Sequence, residues 1–117
     1  ETSPTVSCNR PEFNKLGTVG PIIKGINIKL AKDGEILIKG DSVMKAYWKL
    51  NSETKKKIKK NWFHTGDIGE IDSDNYLKIT DRKKDIIVTT GGDNIAPQKI
   101  ENMLSSKNEI SKVAILS

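Results

Sequence analysis

Cysteine is almost absent from this chain, since Cys8 is the only one among 117 residues. No internal disulfide bond can form, which suits a reducing cytoplasm. His64 is likewise the only histidine, so a metal site built from cysteine and histidine is excluded. No serine or cysteine motif accompanies His64, which leaves a hydrolytic triad without support. Long apolar runs are missing too, because none approaches the roughly 18 residues of a membrane-spanning helix.

Arginine and aromatic residues are also scarce. Arg10 and Arg82 are the only arginines, and aromatic residues make up 5% of the chain. Proteins that read nucleic acids rely on bidentate arginine contacts and on aromatic stacking. The formal net charge of +5 comes mainly from lysine, so the composition predicts no nucleic-acid partner.

The composition is otherwise typical of a soluble globular protein, with 30% charged and 35% hydrophobic residues. The length suits one domain, or one small domain with part of another. The chain opens Glu-Thr-Ser-Pro, without a starting methionine or a signal peptide. We therefore expect it to be a fragment of a longer protein.

Three β-hairpins are predicted, each from two β-prone segments around turn-forming residues. The first pairs residues 26–30 with 35–38 across Asp33-Gly34, the second pairs Asp67–Asp72 with Tyr76–Thr80 around Ser73-Asp74-Asn75, and the third pairs Asp85–Thr89 with Asn94–Ala96 across Gly91-Gly92. Residues 1–16 show no periodicity and are predicted to be loop.

Two short helices and a last strand complete the prediction. Residues 51–60 suit a helix with Asn51 or Ser52 as its N-cap. Pro97 suits the first position of a second helix, whose apolar face would carry Ile100, Met103 and Leu104. Lys112–Leu116 is predicted to be a strand whose partners lie mostly beyond the chain.

Three polar features allow a structural as well as a functional interpretation. The run Lys55–Lys60 could dock phosphate or an acidic surface, but charge runs are usually solvated helix faces. His64 is expected to pack beside Phe63 at a strand end. The segment D-S-D-N-Y resembles a calcium loop, but Tyr76 stands where an oxygen ligand belongs, so calcium binding is not expected.

The stretch W-F-H-T-G-D, Trp62–Asp67, is the most informative feature. It predicts a strand opening at a tight glycine turn, where Gly66 lets the backbone approach a ligand. The carboxylate of Asp67 can accept hydrogen bonds from two neighbouring hydroxyls, as in a ribose diol. The basic run D-R-K-K-D, Asp81–Asp85, and the glycine turn T-T-G-G-D-N follow closely. Together they predict a site for an anionic, hydroxyl-bearing ligand, best matched by a nucleotide.

These motifs, in their order, resemble the adenylate-forming acyl-CoA synthetases. The likeness rests on G-E-I-L-I-K-G-D-S-V-M-K-A-Y-W, then W-F-H-T-G-D-I-G, then I-T-D-R-K-K-D-I-I-V-T-T-G-G-D-N-I-A-P-Q-K-I-E. It extends from Glu1 to about Glu101. The D-R-K-K-D and G-G-x-N-I-A-P elements are most similar to the long-chain fatty-acid–CoA ligase branch. Ala46 departs from the glycine that is frequent in the family at that position.

The resemblance implies roles for individual residues. Glu1 matches a glutamate that helps to hold magnesium. Asp67 matches the aspartate that binds both ribose hydroxyls of ATP, and Arg82 an arginine that also contacts the ribose. Lys84 falls at the hinge about which the C-terminal domain rotates between two half-reactions. Gly91-Gly92 matches the loop that lines the coenzyme A channel. No catalytic residue is implied within the chain.

The resemblance also implies a domain division and a fold class. Residues 1–82 would end the large N-terminal domain in a β-barrel subdomain, 83–84 would be the hinge, and 85–117 would begin the C-terminal lid. The expected fold is α+β and mainly β, with antiparallel hairpins forming part of a distorted β-barrel before an incomplete lid. We expect the last segment to fold weakly alone, because it holds little apolar surface.

The implied parent is an AMP-forming long-chain fatty-acid–CoA ligase that uses ATP, Mg²⁺ and coenzyme A. Its partners would be these small molecules, the fatty acid and the remainder of its own chain. We expect a cytoplasmic location, with peripheral contact at the inner membrane surface left open. The phosphate-binding loop and the catalytic lysine are not among these residues, so the chain alone is expected to be inactive.

Two alternatives stay open. A coumarate-type or other acid–CoA ligase of the same superfamily would differ mainly in its acyl pocket. A non-catalytic basic β-domain could instead bind nucleic acid or anionic lipid through Lys55–Lys60, and its binding would depend strongly on salt.

Overall fold

Antiparallel β-structure dominates the computed structural model, which describes residues 1–107, 110 and 112–115. The predicted α+β, mainly β fold class is confirmed. The elements are β1 Gly20–Pro21, β2 Asn27–Leu30, β3 Glu35–Lys39, α1 Asn51–Lys57, β4 Ile58–Lys59, β5 Trp62–Ile71, β6 Tyr76–Arg82, a 3₁₀ turn Lys83–Asp85, β7 Ile87–Val88, β8 Asn94–Ile95 and α2 Pro97–Ser105.

One sheet organises most of the described residues. Its strand order is β1-β6-β5-β3-β2, with β4 paired to β5, and every pairing is antiparallel. Within the described residues the sheet stays open and does not close into a barrel. Strands β7 and β8 form a separate two-stranded ladder.

All three predicted hairpins are present. Gly34 has φ +81° in the β2–β3 turn, Asn75 has φ +61° in the β5–β6 turn, and Gly92 has φ +89° in the β7–β8 turn. Glycine reaches this left-handed region freely, and asparagine reaches it more readily than most other residues. The third hairpin is shorter than predicted, with two residues in each strand.

The first helix differs from its prediction at both ends. Its N-cap is Leu50, without a side-chain cap, so neither Asn51 nor Ser52 caps it. The Thr54 hydroxyl instead connects the helix to the preceding turn, since it accepts from the Tyr47 amide at 3.0 Å and donates to the Leu50 carbonyl at 2.9 Å. The helix ends at Lys57 because the chain next pairs with β5 as strand β4.

The end of the chain also differs from its prediction. Residues 112–115 of the predicted strand Lys112–Leu116 lie in no strand among the described residues, and Leu116 lies outside them. The second helix does begin at Pro97, as predicted. Among the described residues, no helix combines the length and the hydropathy needed to cross a bilayer.

The core lies along β3 and its neighbours. Five hydrophobic side chains are buried there: Ile36, Leu37, Ile38, Phe63 and Leu77. Four successive residues of β3, Glu35–Ile38, are buried, and since successive side chains of a strand point to opposite faces, both faces of β3 are covered here.

The segment after β6 has much less packing. On α2 only Pro97 is buried, and Ile100, Met103 and Leu104 are all exposed. The apolar face predicted for this helix therefore exists but is only partly covered by the described residues, since Met103 is 62% exposed.

We expect hydrogen exchange to separate these two regions. In the 117-residue chain, amides of β3, β5 and β6 should exchange slowly, whereas those from Ile87 to Ser105 should exchange orders of magnitude faster, because short ladders and exposed helices open locally at low free-energy cost. Peptide-resolved exchange mass spectrometry measures the difference. Equal protection of both regions would mean that the later segment folds firmly alone.

Candidate functional site

A cleft of about 970 Å³ opens beside β5 and the end of β6, and it is called here the Asp67 cleft. Acidic and basic side chains line it in close alternation. Besides His64, its lining includes the charged residues Glu1, Lys32, Asp33, Glu35, Glu53, Lys56, Lys57, Lys59, Asp67, Arg82, Lys83 and Lys84. Such a surface suits a polar ligand that carries both hydroxyl and phosphate groups.

The Thr65–Asp67 segment forms a β-bulge rather than the predicted opening turn. The cross-strand pairs Glu35↔Ile68 and Leu37↔His64 leave one β3 residue, Ile36, opposite three residues of β5. Gly66 accommodates the distortion with φ +79°. The prediction that Thr-Gly-Asp opens a strand was therefore wrong, because β5 already begins at Trp62. Bulges re-aim side chains within a sheet, which is the effect at Asp67.

Asp67 and Arg82 are brought together, as their resemblance to ribose-binding residues requires. They face each other as cross-strand partners on β5 and β6. Asp67 Oδ1 lies 3.4 Å from Arg82 Nε, and the two side chains are 32% and 61% exposed. A surface ion pair of this kind adds little stability, so both groups stay available to a ligand.

Glu1 lies on the wall of the same cleft. The phenol of Tyr47 donates a hydrogen bond to Glu1 Oε1. This bond, together with burial, raises the pKa of Tyr47 to about 12. Within the described residues no group of three acidic, histidine or cysteine side chains could hold a metal alone. One carboxylate nevertheless fits Mg²⁺, which is usually held by one or two carboxylates plus substrate phosphates.

The remaining predicted site residues lie at different distances from this cleft. Lys84 lines it from the middle of the 3₁₀ turn after β6. Gly91 and Gly92 lie in the β7–β8 turn and do not line it. The structure thus groups Glu1 and Lys84 with the Asp67–Arg82 pair, and leaves the glycines apart.

Glu35 is a site residue that the sequence analysis missed. It is 4% exposed, and its carboxylate lies 3.1 Å from His64 Nδ1 while accepting from the Gly66 amide at 3.0 Å and Lys83 Nζ at 2.9 Å. Burial alone would raise the pKa of Glu35, but these hydrogen bonds outweigh it and lower the pKa. A carboxylate beginning the otherwise apolar run E-I-L-I was the available signal, since a buried charge requires partners.

His64 therefore has a different setting from the one predicted. It lies inside β5, not at a strand end, and contacts Glu35. Lys83 also contacts the Glu35 carboxylate, and its ammonium donates a second hydrogen bond to Asp33 Oδ2 at 2.7 Å. The hydrogen bonds to Asp33 and Glu35 raise the pKa of Lys83, and the bond from Lys83 lowers the pKa of Asp33.

The lysine run is divided between the solvent and the cleft. Lys55 and Lys60 are exposed and do not line the cleft, whereas Lys56, Lys57 and Lys59 do line it. Lys57 Nζ donates to the Thr65 carbonyl at 3.4 Å, beside the bulge. Neither the solvated-face nor the docking interpretation describes the whole run.

The calcium-like turn is held by a lysine. Lys15 Nζ lies 2.7 Å from Asp72 Oδ2 and 2.9 Å from Asp74 Oδ2. These two hydrogen bonds raise the pKa of Lys15. The other oxygen of Asp72 accepts from the amides of Asp74 and Tyr76, so the acidic residues shape the turn.

A second cavity, of about 740 Å³, lies between the end of β6 and α2. Asp81 borders it and is 1% exposed. Its Oδ1 accepts from the Arg82 amide at 2.8 Å, while its Oδ2 has no hydrogen-bond partner in the described part of the chain. Lys84 borders both this cavity and the Asp67 cleft.

Comparison with known proteins gives related sequences but no family model that matches. Long-chain-fatty-acid–CoA ligase FadD15 of Mycobacterium bovis is 40% identical over 116 residues, which cover 99% of this chain and 19% of that protein. The 2-succinylbenzoate–CoA ligase of Listeria monocytogenes is 37% identical over 104 residues, which cover 89% of this chain and 22% of that protein. The chain thus spans about a fifth of the length of these curated relatives.

Solved structures give the same picture. The o-succinylbenzoate coenzyme A synthetase MenE from Bacillus subtilis, in complex with AMP, matches 96% of this chain and 25% of its own with a TM-score of 0.81 and 32% identity. The same synthetase with ATP and a magnesium ion matches 95% of this chain and 26% of its own, with a TM-score of 0.79 and 32% identity.

Proposed function

We propose that this chain is part of an AMP-forming ligase that joins a long-chain fatty acid to coenzyme A, because its relatives and structural neighbours include adenylate-forming acyl-CoA ligases. In the first step the acid's carboxylate attacks the α-phosphorus of ATP, giving an acyl-adenylate and pyrophosphate. In the second step the thiol of coenzyme A attacks the acyl carbon and AMP leaves. The fatty-acid assignment follows FadD15, the relative with 40% identity.

The observation that carries the proposal is the Asp67–Arg82 pair on the wall of a cleft rich in lysine. Asp67 would accept hydrogen bonds from the ribose hydroxyls, and Arg82 would donate to ribose oxygens. The ammonium groups of Lys57 and Lys59 would stabilise the negative charge of the phosphates, as cations do in phosphoryl-type reactions. Both side chains are partly exposed, so ribose hydroxyls would reach them and replace their mutual contact.

The other residues receive roles in the same scheme. Glu1 would help to hold Mg²⁺, which when bound neutralises developing charge on the phosphates. Lys84 would be the hinge, and Gly91-Gly92 would line the coenzyme A channel after rotation. Residues 1–82, 83–84 and 85–117 would be the end of the large domain, the hinge and the start of the lid. The proposed location is the cytoplasm, where the exposed thiol of Cys8 would stay reduced.

A substrate panel on the full-length protein tests the proposal. Long-chain fatty acids, 2-succinylbenzoate and a coumarate-type acid are each supplied with ATP, Mg²⁺ and coenzyme A, and AMP and thioester are quantified. Fatty acids should give the highest kcat/KM. A preference for 2-succinylbenzoate, the acid named in the Listeria relative, would retain the ligase chemistry and overturn the fatty-acid assignment. Absence of AMP with every acid would overturn the whole proposal.

A further inference from the structure

Glu35 is a buried carboxylate in a strand that otherwise builds the core. The next three residues, Ile36, Leu37 and Ile38, are all buried hydrophobics. Placing a charge in such a strand is unfavourable unless it is paired and hydrogen-bonded. Packing does not explain a carboxylate at this position, whereas its contacts do.

Glu35 accepts a hydrogen bond from a backbone amide of the bulge. Because Ile36 alone lies opposite Thr65–Asp67, the ladder cannot satisfy every amide of the bulged segment. The Gly66 amide donates instead to Glu35 Oε1 at 3.0 Å. The Asp67 amide donates to Thr65 Oγ1 at 3.0 Å, and that hydroxyl donates to the Ile36 carbonyl at 2.8 Å. Side chains therefore hold both amides that determine where Asp67 points.

The other carboxylate oxygen of Glu35 is fixed in turn. Oε2 accepts from Lys83 Nζ at 2.9 Å and lies 3.1 Å from His64 Nδ1. Lys83 is anchored independently by Asp33 Oδ2 at 2.7 Å. The contacts thus run in sequence from the β2–β3 turn through Lys83 and Glu35 to the bulge.

We infer that Glu35 is a positioning residue, which holds the Gly66 amide and thereby aims the Asp67 carboxylate into the cleft, while Lys83 holds Glu35. The inference rests on the proposed function, because it gives Asp67 the task of binding ribose. Glu35 itself contacts no substrate atom in this scheme. The effect of Glu35 on ATP binding must therefore disappear when Asp67 is replaced.

The test is a double-mutant cycle in the full-length protein. Glu35→Gln keeps the size of the side chain but loses the charge that Lys83 and the Gly66 amide recognise. It should raise KM for ATP about ten-fold, the equivalent of one hydrogen bond to a charged group, and leave KM for the acid and for coenzyme A unchanged. In an Asp67→Ala background, Glu35→Gln should add almost no further loss.

Two further variants complete the experiment. Asp74→Asn makes the same carboxylate-to-amide change in the exposed β5–β6 turn and should leave all constants unchanged. Lys83→Met keeps the Glu35 carboxylate but removes its cationic partner, so it tests the same contacts if Glu35→Gln fails to fold. Lys83→Met should also raise KM for ATP selectively.

The Gly66 amide resonance reports the contact without any assay of activity. In ¹⁵N-glycine-labelled protein it should move upfield in Glu35→Gln, because a neutral acceptor forms a weaker hydrogen bond than a carboxylate. If Asp67→Ala weakens ATP binding while Glu35→Gln changes neither KM nor this resonance, the positioning role alone is wrong. If Asp67→Ala leaves ATP binding unchanged, the proposed function fails and the inference with it. Losses that add in the double variant, or equal increases in every KM, would also overturn the inference.

Discussion

Replacing Asp67 with alanine in the full-length protein is expected to weaken ATP binding by roughly 2–3 kcal/mol, or about 30- to 150-fold in Kd. Two hydrogen bonds from ribose hydroxyls to a charged acceptor would be lost together. Equilibrium titration with ATP measures the change directly. The fold should tolerate the substitution, because Asp67 is partly exposed and its ion pair with the still more exposed Arg82 is screened by water.

The ribose role is separable from a general electrostatic effect by changing the ligand as well. The wild-type protein should bind 2′-deoxy-ATP more weakly than ATP, whereas Asp67→Ala should hardly distinguish the two. Glu70→Ala is the matched control, since it removes an exposed carboxylate from the same strand. An unchanged KM for ATP in Asp67→Ala, or the same discrimination against the deoxynucleotide in both proteins, would contradict the assignment.

The hairpins were predictable because the information for each turn is local. Gly34, Asn75 and Gly92 all adopt positive φ, and glycine and asparagine are the residue types that favour this conformation in turns. The start of α2 at Pro97 follows from the same kind of rule. The family resemblance is confirmed by the relatives. It was visible in the sequence because three motifs in fixed order identify a family more specifically than any one of them does.

The bulge at Thr65–Asp67 was not predictable from local sequence. It depends on the register between β3 and β5, which are separated by more than twenty residues. Thr-Gly-Asp alone is equally compatible with a turn. Only the partner strand, with a single residue opposite three, decides between the two outcomes.

The Glu35 contacts have the same non-local origin. Asp33, Glu35, His64 and Lys83 meet because β3 pairs with β5 and β6 then brings the chain back. The sequence does show a carboxylate beside a buried run, which requires some partner. It does not show which lysine or histidine that partner is.

The cap of α1 failed as a prediction for a different reason. Asn51 and Ser52 are good N-caps by propensity, but the helix begins with Leu50 as its cap. The Thr54 hydroxyl links the Tyr47 amide to the Leu50 carbonyl across this turn. A side chain within the helix therefore organises the approach to it, and a rule based on the first residue alone overlooks that arrangement.

Replacing Lys84 with proline is expected to slow one half-reaction about 100-fold and to spare the other. Lys84 lies in the 3₁₀ turn Lys83–Asp85, directly after β6. A 3₁₀ turn has φ near the value that proline imposes, so proline suits the present conformation and resists departure from it. If the lid must rotate about this residue, catalytic groups would be misplaced in the second conformation, and displacement of about 1 Å can cost about 100-fold in rate. The rate of acyl-adenylate formation is measured by pyrophosphate exchange. It is compared with the rate of thioester formation from supplied acyl-adenylate.

Lys84→Ala is the control, because it removes the same side chain and leaves both backbone dihedrals free. With Lys84→Ala, the losses of rate in the two half-reactions should be much closer to each other than with Lys84→Pro. Proline also disfavours the helical region for the preceding residue, Lys83, so thermal unfolding of both variants must be compared with the wild type. Equal losses in the two half-reactions with Lys84→Pro would argue against a hinge here. Lys84 lines both the Asp67 cleft and the second cavity, so a dihedral change at this residue moves the two surfaces relative to each other.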